Sequence, residues 1–105
     1  DIPSGVTTIG MGAFYFTGLE TINIPATITS IDDYAFAECS NLSTVTLNEG
    51  LTTIGIYAFE SIKISKLTIP KSVTSIGQYA FYDCTSLTKA TIFSKNAEFG
   101  TYRRK

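Results

Sequence analysis

Apolar residues fall in fixed columns along this chain, and the columns recur every 22 or 23 residues. The clearest column is Phe14, Phe36, Phe59 and Phe81. Ahead of each phenylalanine two apolar residues flank two hydroxyl residues: Val6-Thr-Thr-Ile9, Ile28-Thr-Ser-Ile31, Leu51-Thr-Thr-Ile54 and Val73-Thr-Ser-Ile76. Each reads as a short extended segment with one buried face. A second alternating stretch lies elsewhere in the unit: Thr21-Ile22-Asn23-Ile24, Thr44-Val45-Thr46-Leu47, Lys66-Leu67-Thr68-Ile69 and Lys89-Ala90-Thr91-Ile92. Strict alternation with β-branched residues predicts a half-buried strand. Pro25 and Pro70 follow two of these strands, and Pro3 stands in a partial first copy. Proline has no N–H to give a ladder, so it ends the strand and turns the chain. Asn48-Glu49-Gly50 is expected to do the same by turn chemistry.

Asp33–Glu38 and Gln78–Asp83 predict one short helical turn ending near the phenylalanine. Such a turn is too short to stand alone and needs a buried ring to hold it. Gly10, Gly55 and Gly77 precede these segments, with Asp32 in the same column once. Glycine and aspartate share an aptitude for positive φ and for helix N-caps, so one of these is expected there. The stacked phenylalanines are expected to form the spine of the core. Self-similarity at this period is the mark of a solenoid. The fold class predicted is a β-rich α/β solenoid of about four repeats, with a parallel sheet and short helical turns. Past Ile92 the pattern stops, and Phe93 and Phe99 are the expected plug of the open end.

The unit Leu-x-x-Ile-x-Ile-Pro-x-x-Val-Thr-x-Ile-Gly-x-x-Ala-Phe-x-x-Cys resembles the BspA-type leucine-rich repeat, found in many copies in surface and secreted proteins of anaerobic bacteria and some protists. The likeness covers roughly residues 2–92, with Asn48 for proline, Asp32 for glycine and Ile62 for cysteine as departures. It implies a curved leucine-rich-repeat solenoid, an extracellular or cell-surface location, and protein binding or adhesion without catalysis. It carries over no functional residue, because the motif is a folding motif. One leucine-rich-repeat domain is expected over 1–105, with repeats near 2–23, 24–46, 47–68 and 69–91 and a C-terminal cap or tail over 92–105. The chain opens inside a repeat with no visible leader, so excision from a longer protein is the expectation.

Composition narrows the chemistry. Of the 105 residues, 44% are hydrophobic and no apolar run nears the length of a membrane span, so membrane insertion is not expected. Residues 1–92 hold eight acids against four lysines, whereas the tail from Phe93 is basic. A weakly acidic body does not suit a phosphate backbone, so no nucleic-acid partner is expected. The chain has no histidine, which removes the commonest general base and metal ligand. No catalytic, cofactor-binding or metal-ligating residue is therefore named.

Cys39 and Cys84 share a column two repeats apart. Adjacent rungs about 4.8 Å apart put their Cα atoms roughly 10 Å apart, beyond the ~7 Å a disulfide spans. They read as separate buried thiols. A second set of columns, Thr7/Thr29/Thr52/Thr74 and Thr8/Ser30/Thr53/Ser75, forms hydroxyl rows that read as polar strand positions rather than an ice-binding surface.

Two faces remain as candidate interaction surfaces. The outward strand positions Thr21, Asn23, Thr44, Thr46, Lys66, Thr68, Lys89 and Thr91 are expected to form two polar rows with a positive corner. Tyr34, Tyr57 and Tyr79 form an aromatic strip that either covers the phenylalanine spine or offers rings to sugars. The partner expected is a protein or glycan on a surface, with self-association through open solenoid ends as a further expectation. Besides a protein-binding or adhesion module, two functions stay open: a carbohydrate-binding module attached to a polysaccharide-degrading enzyme or complex, and a passive structural spacer.

Overall fold

The computed structural model describes residues 2–3, 5–93 and 98–99, the last two as backbone. Each repeat makes one rung of a three-sided coil. One side carries the four-residue strands β2 (Thr21–Ile24), β4 (Thr44–Leu47), β6 (Lys66–Ile69) and β8 (Lys89–Ile92). A second carries the two-residue strands β1 (Thr8–Ile9), β3 (Ser30–Ile31), β5 (Thr53–Ile54), β7 (Ser75–Ile76) and β9 (Glu98–Phe99). The third side is made of turns.

The short strands form one parallel sheet in the order β1-β3-β5-β7-β9. Its register aligns Ile9, Ile31, Ile54, Ile76 and Phe99. The long strands form two sheets instead of the single one expected. β2 pairs with β4 and β6 with β8, both in parallel, while β4 and β6 are neighbours without a ladder. The break falls where the connector shortens, from six residues between Phe36 and Leu42 to five between Phe59 and Ile64. At the two pairing steps a pair of N–H groups converges on one carbonyl: Ser43 and Thr44 on Glu20, Thr88 and Lys89 on Ser65. At the broken step the N–H of Lys63 meets the carbonyl of Leu42 at 2.8 Å.

The expected helical turns do not form, and no helix occurs among the described residues, so the fold is a β-solenoid and not α/β. Each third side is a chain of tight turns in which every second N–H points to the next rung. Tyr34, Phe36 and Glu38 donate to the carbonyls of Ile56, Ala58 and Glu60 at 2.7–3.0 Å. Tyr57, Phe59 and Ser61 donate likewise to Gln78, Ala80 and Tyr82. This requires left-handed backbone twice per rung, at Gly12 and Phe16, Tyr34 and Glu38, Tyr57 and Ser61, and Tyr79 and Asp83, all with φ near 60°. Left-handed φ costs a non-glycine residue about 1–2 kcal/mol. It persists because the inter-rung hydrogen bonds and the buried side chains between fix it.

The glycine that follows β1, β5 and β7 has a different reason from the one expected. Gly10, Gly55 and Gly77 do not have positive φ. A Cβ on Gly55 would lie 2.6 Å from the backbone of Asp32 and Asp33, and one on Gly77 would lie 2.6 Å from the Ile56 nitrogen. At Gly55 and Gly77 glycine is needed because rungs touch there, whereas a Cβ on Gly10 would meet nothing within 4 Å.

Phe36, Phe59 and Phe81 are fully buried and stack with Phe14 at centroid spacings of 5.1, 5.1 and 5.4 Å, the planes within 5° of parallel. Ile24, Ile28, Ile31, Leu51, Ile54, Ile69 and Val73 close around them. The turn at Asn48 forms as expected: Leu51 N–H meets the Asn48 carbonyl at 3.4 Å, the same closure that Pro25 makes with Ile28 and Pro70 with Val73. Gly50 sits there at φ 110°. The Asn48 amide also donates to the Ile24 carbonyl at 2.6 Å.

The repeat does not stop at Ile92. Glu98–Phe99 continue the short-strand columns as β9. Phe93 is 55% exposed, so it is no plug, and the side chain of Phe99 lies outside the described residues.

Candidate functional site

The two candidate faces are built on different sides of the coil. On the long-strand side Thr21, Asn23, Thr44, Thr46, Lys66, Thr68 and Lys89 are exposed and Thr91 is half-buried. The missing β4–β6 ladder divides them into a neutral patch on β2 and β4 and a lysine-bearing patch on β6 and β8. Within each patch the register pairs like with like, Thr21 beside Thr44 and Lys66 beside Lys89. Two lysines side by side repel, so this corner favours an anion or a carboxylate-bearing partner.

The tyrosines lie on the turn side. Tyr34, Tyr57 and Tyr79 stack at 5.2 Å, tilted by 15° and 18°. Tyr57 and Tyr79 are half-buried and Tyr34 is exposed. Tyr82 stands edge-on to Tyr57 and Tyr79 at 6.4 and 5.4 Å. The inner rings spend their faces on each other, and what reaches solvent is edges and hydroxyls. A sugar ring stacks on an open face, which the middle of this ladder does not offer. Toward repeat one the ladder ends at Tyr34, because Gly12 takes the next place without a side chain. The Tyr57 phenol is pushed above its usual value by desolvation, then by its neighbours Tyr34 and Tyr79.

The hydroxyl rows on the short-strand side are bonded internally. Thr29 Oγ1 donates to the Thr7 carbonyl, Thr52 to Thr29 and Thr74 to Thr52, at 3.3, 2.9 and 3.2 Å. These threonines reinforce the ladder rung by rung.

Cys39 and Cys84 are buried free thiols, as expected. Each donates to the phenylalanine carbonyl of the preceding rung, Cys39 to Phe14 at 3.0 Å and Cys84 to Phe59 at 3.2 Å. Burial pushes the Cys84 thiol up to about 11, against backbone hydrogen bonds from Ile62 and Ser61 that pull it down. A pKa raised by folding favours the protonated native state. That contribution is complete below the unfolded thiol value of about 8.5 and is lost as pH climbs toward about 11. We predict that neither cysteine reacts with iodoacetamide in the folded protein at mildly alkaline pH. Both should alkylate in denaturant without reductant; a linked pair by mass spectrometry would refute the register.

The sequence offers Asp32, Asp33, Glu38, Glu49, Glu60 and Asp83 as a solvated acidic face, not as an acid–base pair, and does not place most of them on one side of the coil. Asp32, Asp33, Glu38, Glu60 and Asp83 fall on the turn side, and the four turn segments (10–17, 32–39, 55–62 and 77–84) contain no lysine or arginine. Reading the columns side by side exposes this charge only once the turns are known to be stacked in register.

The repeat geometry accords with sequence comparison. The profile of the BspA type leucine rich repeat region matches residues 3–103 in six copies. This chain belongs to the BspA-type leucine-rich repeat family. The BspA-type match extends past Ile92 and so takes in β9. A comparison with curated proteins finds no match. Among solved structures, a leucine-rich repeat protein from Bacteroides ovatus is 31% identical, with a TM-score of 0.88 over 95% of this chain and 26% of its own. A leucine rich cell surface protein from Faecalibacterium prausnitzii is also 31% identical, with a TM-score of 0.76 over 86% of this chain and 30% of its own. The pneumococcal vaccine antigen PcpA is 25% identical, with a TM-score of 0.77 over 86% of this chain and 25% of its own. This BspA-type chain thus spans about a quarter of the length of the Bacteroides ovatus protein.

Proposed function

We propose that this chain is a non-catalytic protein-binding module displayed on a bacterial cell surface, where it serves adhesion. The observation that carries the reading is the ladder surface itself. Like side chains repeat at rung spacing, with Tyr34, Tyr57 and Tyr79 at 5.2 Å and Lys66 beside Lys89. A surface of this kind engages a macromolecule over several rungs, whereas a small substrate needs convergent groups in a concave site. The location is supported by two similar structures, one described as a cell surface protein and the other as a vaccine antigen.

Each rung contributes little, so binding by one module is expected to be weak, roughly micromolar, and made useful by repetition in a longer protein. A panel of purified host surface and matrix proteins, tested by biolayer interferometry beside a glycan array, decides the matter. Saturable binding to a protein is the expected result. Binding to glycans alone makes the chain a carbohydrate-binding module, and silence on both leaves a spacer.

A further inference from the structure

Among the described residues the turn side carries most of the exposed large apolar side chains. Met11 is 71% exposed, Phe16 74%, Tyr15 52%, and Tyr34 and Ile56 41% each. Single exposed residues are ordinary, but these fall on three successive turns of one side. The first turn is laced to the second by Gly12 N–H to Asp33 and Phe16 N–H to Ala37, at 3.1 and 2.9 Å. The second turn is joined to the third through the Tyr34–Tyr57 stack. Large apolar side chains gathered in solvent on one side of a coil, with carboxylates set among them, make that side the candidate interaction surface.

Charge says what covers it. The same columns that hold aromatic rings in one rung hold carboxylates in the next. Glu38 and Asp83 occupy the place of Phe16, and Glu60 occupies that of Tyr15 and Tyr82. Glu38, Glu60 and Asp83 are close enough that, after desolvation, the two neighbours raise the Glu60 pKa. The lysines of the described residues, Lys63, Lys66, Lys71 and Lys89, all lie outside the turn segments. The side is therefore aromatic and uniformly anionic.

Resting on the protein-binding reading above, we infer that the turn side is the docking surface, and that its partner is a basic polypeptide segment in which arginines alternate with apolar residues. A guanidinium lies flat on an open aromatic face and pairs with a carboxylate at the same time, which ammonium does less well. Phe16 with Glu38, and Tyr82 with Glu60, offer that pair of contacts on adjoining rungs. The apolar residues of the partner settle against Met11, Tyr15 and Ile56. Seating a cation beside Glu60 removes the repulsion from Glu38 and Asp83.

The test uses a fluorescent peptide of alternating arginine and leucine, with lysine-leucine and glutamate-leucine versions, read by anisotropy on the whole chain. The arginine peptide should bind, the lysine peptide more weakly and the glutamate peptide not at all. Affinity should fall as salt rises from about 0.05 to 0.3 M. Glu38→Gln, Glu60→Gln and Asp83→Asn together should weaken binding roughly tenfold, the loss of a few exposed ion pairs. Phe16→Asn with Tyr15→Ser should weaken it similarly. These side chains are exposed, and asparagine suits the left-handed backbone at position 16, so the melting temperature serves as the control for folding. Lys66→Glu with Lys89→Glu on the long-strand side should leave the peptide bound. Unchanged binding in the acid-to-amide triple variant, equal binding of the glutamate peptide, or no binding of the arginine peptide would each overturn the inference. If a protein from the panel binds and is lost only with the two lysines, the docking side is wrong and the protein-binding function stands. If neither panel nor peptide binds, the function itself fails.

Discussion

Phe59→Ala should cost the fold about 3–5 kcal/mol, the range for deleting a fully buried phenyl ring. Phe59 has no exposed surface and is stacked on both faces, against Phe36 at 5.1 Å and Phe81 at 5.4 Å. Removing it leaves a cavity in the middle of the spine and strips each neighbour of a stacking partner. A domain of this size holds only about 5–15 kcal/mol in all, so the variant sits near the edge of folding. Phe14→Ala is the comparison. Phe14 is half-buried and has one ring partner, Phe36, at 5.1 Å. Its loss should cost roughly 1–2 kcal/mol, because less area leaves water when it packs. Urea melts of the two variants decide it, and equal losses would mean that the rings do not act as one stack. Should Phe59→Ala fail to fold, Phe59→Leu keeps the comparison open, since a smaller truncation leaves a smaller cavity and costs less.

The spine was legible in the sequence because a solenoid repeats its packing problem at every rung. Leu42, Ile64 and Leu87 share a column because the same space recurs, and all three are buried. Backbone choices were less legible. Asp33–Glu38 is rich in residues that form helices readily, but propensity is a weak prior against tertiary ladders. Every second N–H of the segment is instead directed to the next rung, as from Phe36 to Ala58 at 2.7 Å. The clue was Gly12. It stands in the tyrosine column at φ 65°, where glycine is the residue such backbone prefers, and its presence marks the column as left-handed. The fifth short strand was hidden for a related reason. Backbone pairing to Ser75 and Ile76 asks nothing of side-chain identity, so Glu98 and Phe99 pair without repeating the motif.

The candidate surfaces were half legible. Alternation on β2, β4, β6 and β8 correctly put Thr21, Asn23, Thr44, Thr46, Lys66, Thr68 and Lys89 in solvent. Whether those strands join into one sheet depended on connector length between rungs, which no single repeat records. The acid-and-aromatic side depended on stacking turns whose conformation was misread as helix. Its chemistry lies across rungs, in sets such as Phe16, Glu38 and Asp83 that are 22 or more residues apart.

Gly77→Ala and Gly10→Ala should shift stability in opposite directions, although the two glycines share a column. Neither has positive φ, so glycine is not demanded by local backbone at either place. At Gly77 an added Cβ would lie 2.6 Å from the Ile56 nitrogen, 2.7 Å from the Gly55 carbonyl carbon and 2.9 Å from the Ile56 Cα. These are backbone atoms of an inner rung, with no side chain to swing aside. The rung spacing has to open locally, straining the Gly77 N–H bond to Ile54 at 2.7 Å. Overpacking of this kind costs about 1–3 kcal/mol. For a domain near 100 residues each kcal/mol moves the melting temperature by about 4–8 °C, so the fall is easily measured. At Gly10 the added Cβ meets nothing within 4 Å. There alanine only reduces the freedom of the unfolded chain, which should stabilise by about 0.4–1 kcal/mol. Asp32 already shows that the column accepts a side chain where the preceding rung is repeat one. Thermal melts of the two alanine variants settle whether rung contact sets this column. A fall of similar size in both would return the explanation to local backbone, and no fall at Gly77 would mean that the rungs stand further apart than 2.6 Å of clearance implies.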